Sequence, residues 1–87
     1  MKESRGEGSG SSVASLTAKT KINIRGGPST EYEVLGLLEL GQKAEVIGVS
    51  SDRQWWAIRI PGRESVQGWV AASLVETENV ENVPVLP

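Results

Sequence analysis

Residues 16–32 read LTAKTKINIRGGPSTEY, and the change of rule inside this stretch decides the fold. Up to Arg25 the side chains alternate, with Leu16, Ala18, Thr20, Ile22 and Ile24 on one side and Thr17, Lys19, Lys21, Asn23 and Arg25 on the other. A period of two belongs to an extended chain with one buried face, so the stretch predicts one half-buried strand. Gly26-Gly27-Pro28-Ser29-Thr30 ends it, because two glycines and a proline cannot continue an ordinary ladder. A structured loop then runs to Tyr32.

Working outward, Val34 to Leu38 is a short apolar run, Gly41 marks a turn, and Ala44 to Val49 is rich in β-branched residues with Glu45 facing water. Ser50 to Gln54 is a polar turn. Trp55 to Ile60 then places Trp56, Ile58 and Ile60 on one face and Trp55, Ala57 and Arg59 on the other. Pro61-Gly62 signals a turn with a positive φ after proline, and Gly68 to Ala71 makes a last short strand. No window carries helical periodicity. Five short strands in residues 16–75 predict an all-β fold, a small barrel that leaves few unpaired edges.

The chain has 87 residues, 38% hydrophobic and 23% charged, room for one domain. Its core is too small to spare a deep cavity, so any ligand site is expected to be a surface groove. Without cysteine or histidine there is no thiolate nucleophile, no imidazole base and no zinc site built from those ligands. Glu31 and Glu33 could project together as paired acids, but they lie on a polar loop with no pocket visible around them, so no enzyme activity, metal or other cofactor is expected. Residues 16–75 carry seven basic and six acidic side chains, a balance that argues against a nucleic-acid partner.

The first fifteen residues, MKESRGEGSGSSVAS, read as a flexible leader with too little to bury. They lack the apolar run of a signal peptide, and no stretch is long enough to insert in a membrane. The linker-like leader leads us to expect a segment of a longer protein, with any targeting signal outside it. From Glu76 the tail holds three glutamates and no cation; Pro84-Val85-Leu86-Pro87 has bare PxxP spacing but reads as a linker. The tail is expected to end freely and not to dock on its own barrel.

The order of blocks, Ile22-Asn23-Ile24-Arg25-Gly26-Gly27-Pro28-Ser29-Thr30 with Tyr32, Val34-Leu35-Gly36, Gly41 before Ala44 and Val46, Trp55 before Ile58, and Gly68-Trp69-Val70, resembles the bacterial SH3-like (SH3b) domain over Ala18 to Leu74. The family pattern runs LNVRSGPSTxYxVIG, a Gly-Lys-Val strand, W-x-x-V and a final GWV. Gly26 replaces a usual serine, Ala44 a larger aliphatic that a tryptophan would have to make up for, and Pro61 to Gln67 reads as a longer loop than usual. The resemblance implies an SH3-like barrel and a non-catalytic accessory module of a cell-envelope or secreted protein. Such modules bind peptidoglycan or its peptides, or pack against a neighbouring domain.

Tyr32, Trp55, Trp56 and Trp69 are the aromatic residues. Trp56 and Trp69 are read as completing the core, with Trp69 sealing the barrel. Trp55, opposite Ile58 in facing, is read as outward-facing, and an outward indole beside a loop tyrosine suits a peptide or a sugar ring. The candidate ligand-binding residues are therefore Trp55 and Tyr32 as walls and Arg25 at the rim. For Arg25 two roles stand side by side: holding a ligand carboxylate, or pairing with Glu31 or Glu33 to fix the loop. The second function considered is a structural domain packed against a neighbour, which exposed apolar surface around Pro61 to Gln67 would favour.

Overall fold

The computed structural model describes residues 13–86. They form seven strands: β1 (Ser15–Ala18), β2 (Ile22–Arg25), β3 (Val34–Leu38), β4 (Lys43–Val49), β5 (Trp55–Ile60), β6 (Arg63–Ala71) and β7 (Val75–Glu78), with one 3-10 turn at Ala72–Leu74. The strands make one sheet in the order β3-β2-β6-β5-β4-β1-β7, and their pairings are antiparallel. Every strand contributes to a single interior cluster, from Leu16, Ala18, Ile22 and Ile24 through Leu38, Ala44, Val46, Ile58 and Ile60 to Val70 and Val75. One face of a single sheet buries itself in this way only by curling round, so the all-β barrel expectation holds.

The alternation over residues 16–25 proves to be two strands rather than one. Leu16, Ala18, Ile22 and Ile24 are buried as the period requires, but Lys19, Thr20 and Lys21 are exposed and the chain turns a corner there. The Lys19 amide donates to the Leu74 carbonyl at 3.0 Å, and β1 joins β4 and β7 while β2 joins β3 and β6. The expected loop over Pro61 to Gln67 is also corrected. Pro61-Gly62 is a tight turn with Gly62 at φ +84°, and the residues after it already belong to β6. Pairing slips between Arg59, opposite Gln67, and Ile60, opposite Arg63, so the extra length is absorbed as a bulge inside the hairpin.

Of the expected leader, residues 1–12 lie outside the described residues. Ser15 already belongs to β1, and the Ala14 carbonyl accepts from the Val46 amide at 2.9 Å. The tail also departs from expectation. Glu76 to Glu78 belong to β7, and the Val49 amide donates to the Pro84 carbonyl at 2.9 Å while the Leu86 amide donates to the Val49 carbonyl at 2.8 Å. The end expected to be free lies along β4, because β1 stops short and leaves the backbone of Val49 in need of partners.

Candidate functional site

The loop between β2 and β3 is closed by its own backbone and by one guanidinium. The Gly26 amide donates to the Glu33 carbonyl at 3.0 Å, and the Ser29 amide to the Gly27 carbonyl at 2.9 Å. Ser29 Oγ accepts from the Glu31 amide at 3.1 Å. Arg25 Nη1 donates to the carbonyls of Thr30 at 3.1 Å and Tyr32 at 3.0 Å. Arg25 therefore fixes the loop through the carbonyls of Thr30 and Tyr32, where the sequence suggests Glu31 or Glu33 as its partner.

Tyr32 is 51% exposed, yet its ring is not loose. It lies over buried Gly27, where an added Cβ would stand 2.5 Å from Cε1 and Cζ. Glycine at 27 thus serves the close approach of an aromatic ring as well as the turn. The result is a half-exposed ring held at backbone and side chain alike.

Trp55 opens β5 and is positioned by the turn before it. Its amide donates to Ser50 Oγ at 3.1 Å, and its carbonyl accepts from the Ser50 amide at 2.9 Å. Ser50, 5% exposed, donates through Oγ to Asp52 Oδ1 at 2.6 Å, and the same carboxylate oxygen accepts from the Gln54 amide at 3.0 Å. The Ser50 hydroxyl first, and then the Gln54 amide, hold the Asp52 carboxyl below its ordinary pKa. A depressed carboxyl stabilises the fold fully above its unfolded pKa, about 3.9, and loses that contribution as pH falls through the lower folded value. Asp52→Asn is therefore expected to flatten part of the loss of stability on acidification below about pH 4, read as urea midpoints across pH.

Register shows which of these residues meet. Arg25 stands opposite Trp69, Trp69 opposite Ala57, and Ala57 opposite Gly48, a row across β2, β6, β5 and β4. Because Val70 belongs to the interior cluster, adjacent Trp69 points to the outer face. Trp69 is buried, at 4% exposed, but it does not seal the barrel from within: it stands outside the interior cluster, as do buried Val49 and Ala57. Trp56 is the indole packed against the interior, and both it and Trp55 are half-buried.

Trp55, opposite Ala71, lies on the Asn23 side of this row, whereas Tyr32 lies with Gly27 beyond Arg25. Along the sheet Trp55 stands two strand spacings, about 10 Å, from β2 and two residues to one side of the row, and Gly27 two residues to the other side, about 13 Å apart along the strand direction. The structure thus joins Arg25 to the Tyr32 loop, keeps Trp55 apart, and sets Trp69 between them. Sequence reasoning missed Trp69 as an outer-face residue; the parity of Gly68-Trp69-Val70 was the available signal.

Two recesses lie elsewhere, one of about 360 Å³ lined by Ala14, Asn79, Glu81, Asn82 and Val83, and one of about 200 Å³ beside the Arg59–Glu45 ion pair. Neither is lined by Arg25, Tyr32 or Trp55. Among the described residues no helix is long and apolar enough to cross a membrane. A comparison with curated proteins finds no match. The sequence profile of the bacterial SH3 domain matches residues 20–76, which include β2 to β6 and the first half of β7, the Arg25–Tyr32 loop, and both Trp55 and Trp69. By that match, with the all-β barrel that carries it, the chain belongs to the bacterial SH3 domain family.

Proposed function

We propose that the domain is a non-catalytic binding module of a cell-envelope or secreted protein, recognising peptidoglycan or its peptides across the surface from Tyr32 to Trp55. The observation that carries this reading is the Tyr32 ring, half-exposed yet held on Gly27 with its carbonyl tied to Arg25. A pre-ordered aromatic ring loses little freedom when a ligand covers it. The spacing of Tyr32 from Trp55 suits an extended peptide of about four or more residues rather than a compact molecule.

Tyr32→Ala and Trp55→Ala are each expected to lower retention on purified peptidoglycan at least about tenfold, roughly the 1–2 kcal/mol of an interface aromatic. Melting temperatures of both should stay within a few degrees of the parent. Undiminished retention by both variants refutes the reading.

A second reading has its own observation. Val34, Leu37 and Leu40 are 47%, 49% and 71% exposed along edge strand β3 and the turn after it. Such a patch suits packing against a neighbouring domain. The patch lies at β3 and the turn after it; around Pro61 to Gln67, where exposed apolar surface would also favour this reading, Val66 is the exposed large apolar residue.

A further inference from the structure

The last residues of the chain occupy a place that the strands leave open. β1 pairs β4 only as far as Ser15 opposite Glu45, and the Ala14 carbonyl serves Val46. Beyond this the same edge of β4 is taken by the tail. Val85 pairs in parallel with Val49, flanked by the bonds from the Val49 amide to Pro84 and from the Leu86 amide to Val49. The Leu86 side chain fills the place of a Cβ at Gly48, which would stand 2.5 Å from Leu86 Cγ and Cδ1.

This is a small, self-contained recognition unit. Two backbone hydrogen bonds set the direction of the strand without reading side chains, and Pro84 fits because only its carbonyl is used. Specificity resides in the seat over Gly48, which takes a branched aliphatic two residues after the proline. The segment is tethered through residues 79–83, where Asn79 has φ +60° and the Val83 amide donates to Val80 at a long 3.4 Å. Within the same connection Val80 and Val83 pack against the interior cluster and Asn79 Nδ2 donates to the Val13 carbonyl at 3.4 Å, so a hinge here must release these contacts to let the tail go.

We propose that the Gly48–Val49 edge is a docking site for an extended Pro-x-Leu segment, and that its partner is the tail of a second copy, exchanged through the 79–83 hinge. The segment seen to fit the seat is this chain's own, and a second copy repeats every contact without new complementarity. A short tether gives the tail an effective concentration in the millimolar range, so exchange competes only when copies are comparably concentrated or held side by side.

The test uses two full-length variants that complement each other. Leu86→Ser keeps the seat but loses the anchor; Gly48→Val keeps the anchor but fills the seat. Each alone is expected to be monomeric, with dispersed amide signals. On mixing at about 1 mM, the Gly48 and Val49 amides of labelled Leu86→Ser should move toward their parent positions while translational diffusion slows. Unmoved Gly48 and Val49 signals overturn the proposal. Should Gly48→Val fail to fold, a peptide of residues 82–87 takes its place, and absence of shifts at Gly48 and Val49 overturns the proposal equally. A response to the peptide but not to a folded Gly48→Val copy would assign the site to a foreign Pro-x-Leu chain and overturn the second copy as partner.

Discussion

Trp69→Ala is expected to destabilise the domain by about 3–5 kcal/mol, enough to unfold much of the population at room temperature. The indole is 4% exposed and stands between Arg25 and Ala57 on the outer face, so its removal leaves a hole that neighbouring backbone cannot fill. In a domain of this size each kcal/mol shifts the melting temperature by about 4–8 °C, so calorimetry should show a loss above about 12 °C or no transition at all. A loss of only a few degrees would mean that the outer-face indole contributes little to the fold.

The second large effect is expected at Gly68. A Cβ there would collide with Ile24 Cγ2 and stand 3.1 Å from Ile60 Cγ1, both in the interior cluster. Branched side chains on strands have little room to turn away, so Gly68→Ala should cost about 2–3 kcal/mol through overpacking. Ile24→Ala removes the methyl in the way. The double variant in urea unfolding should therefore be more stable than the sum of the two singles allows, with a coupling of about 1 kcal/mol or more. Strict additivity would show that the glycine is required for another reason.

Much of the barrel interior is legible from parity alone. Leu16, Ala18, Ile22, Ile24, Ile58 and Ile60 are buried where a period of two places them, because alternation records one covered face. The corner at Lys19 to Lys21 is hidden by the same rule, since the chain changes neighbours there without breaking the alternation. The slip between Arg59 and Ile60 is likewise set by pairing, which no local pattern states. Around the candidate site, the glycine turn and the aromatic residues are visible in the sequence. The covering of Trp69 on a second face and the seating of Leu86 on Gly48 are not, because they depend on residues distant along the chain. The tail's acidity suggests solvation, but two unmet backbone groups on Val49 and one glycine seat hold it in place.

The ligand proposed for this bacterial SH3 domain is cell-wall peptide, held across the outer surface between Tyr32 and Trp55. That binding is tested by titrating the labelled chain with soluble peptidoglycan fragments, followed at every backbone amide and at the three indoles. Saturable shifts are expected, confined to residues 25–33 and to Trp55, with little change at Gly48, Val49 and the interior. Absence of shifts at Tyr32 and Trp55, or saturable shifts centred instead on Leu37 and Leu40 of the β3 edge, would contradict it.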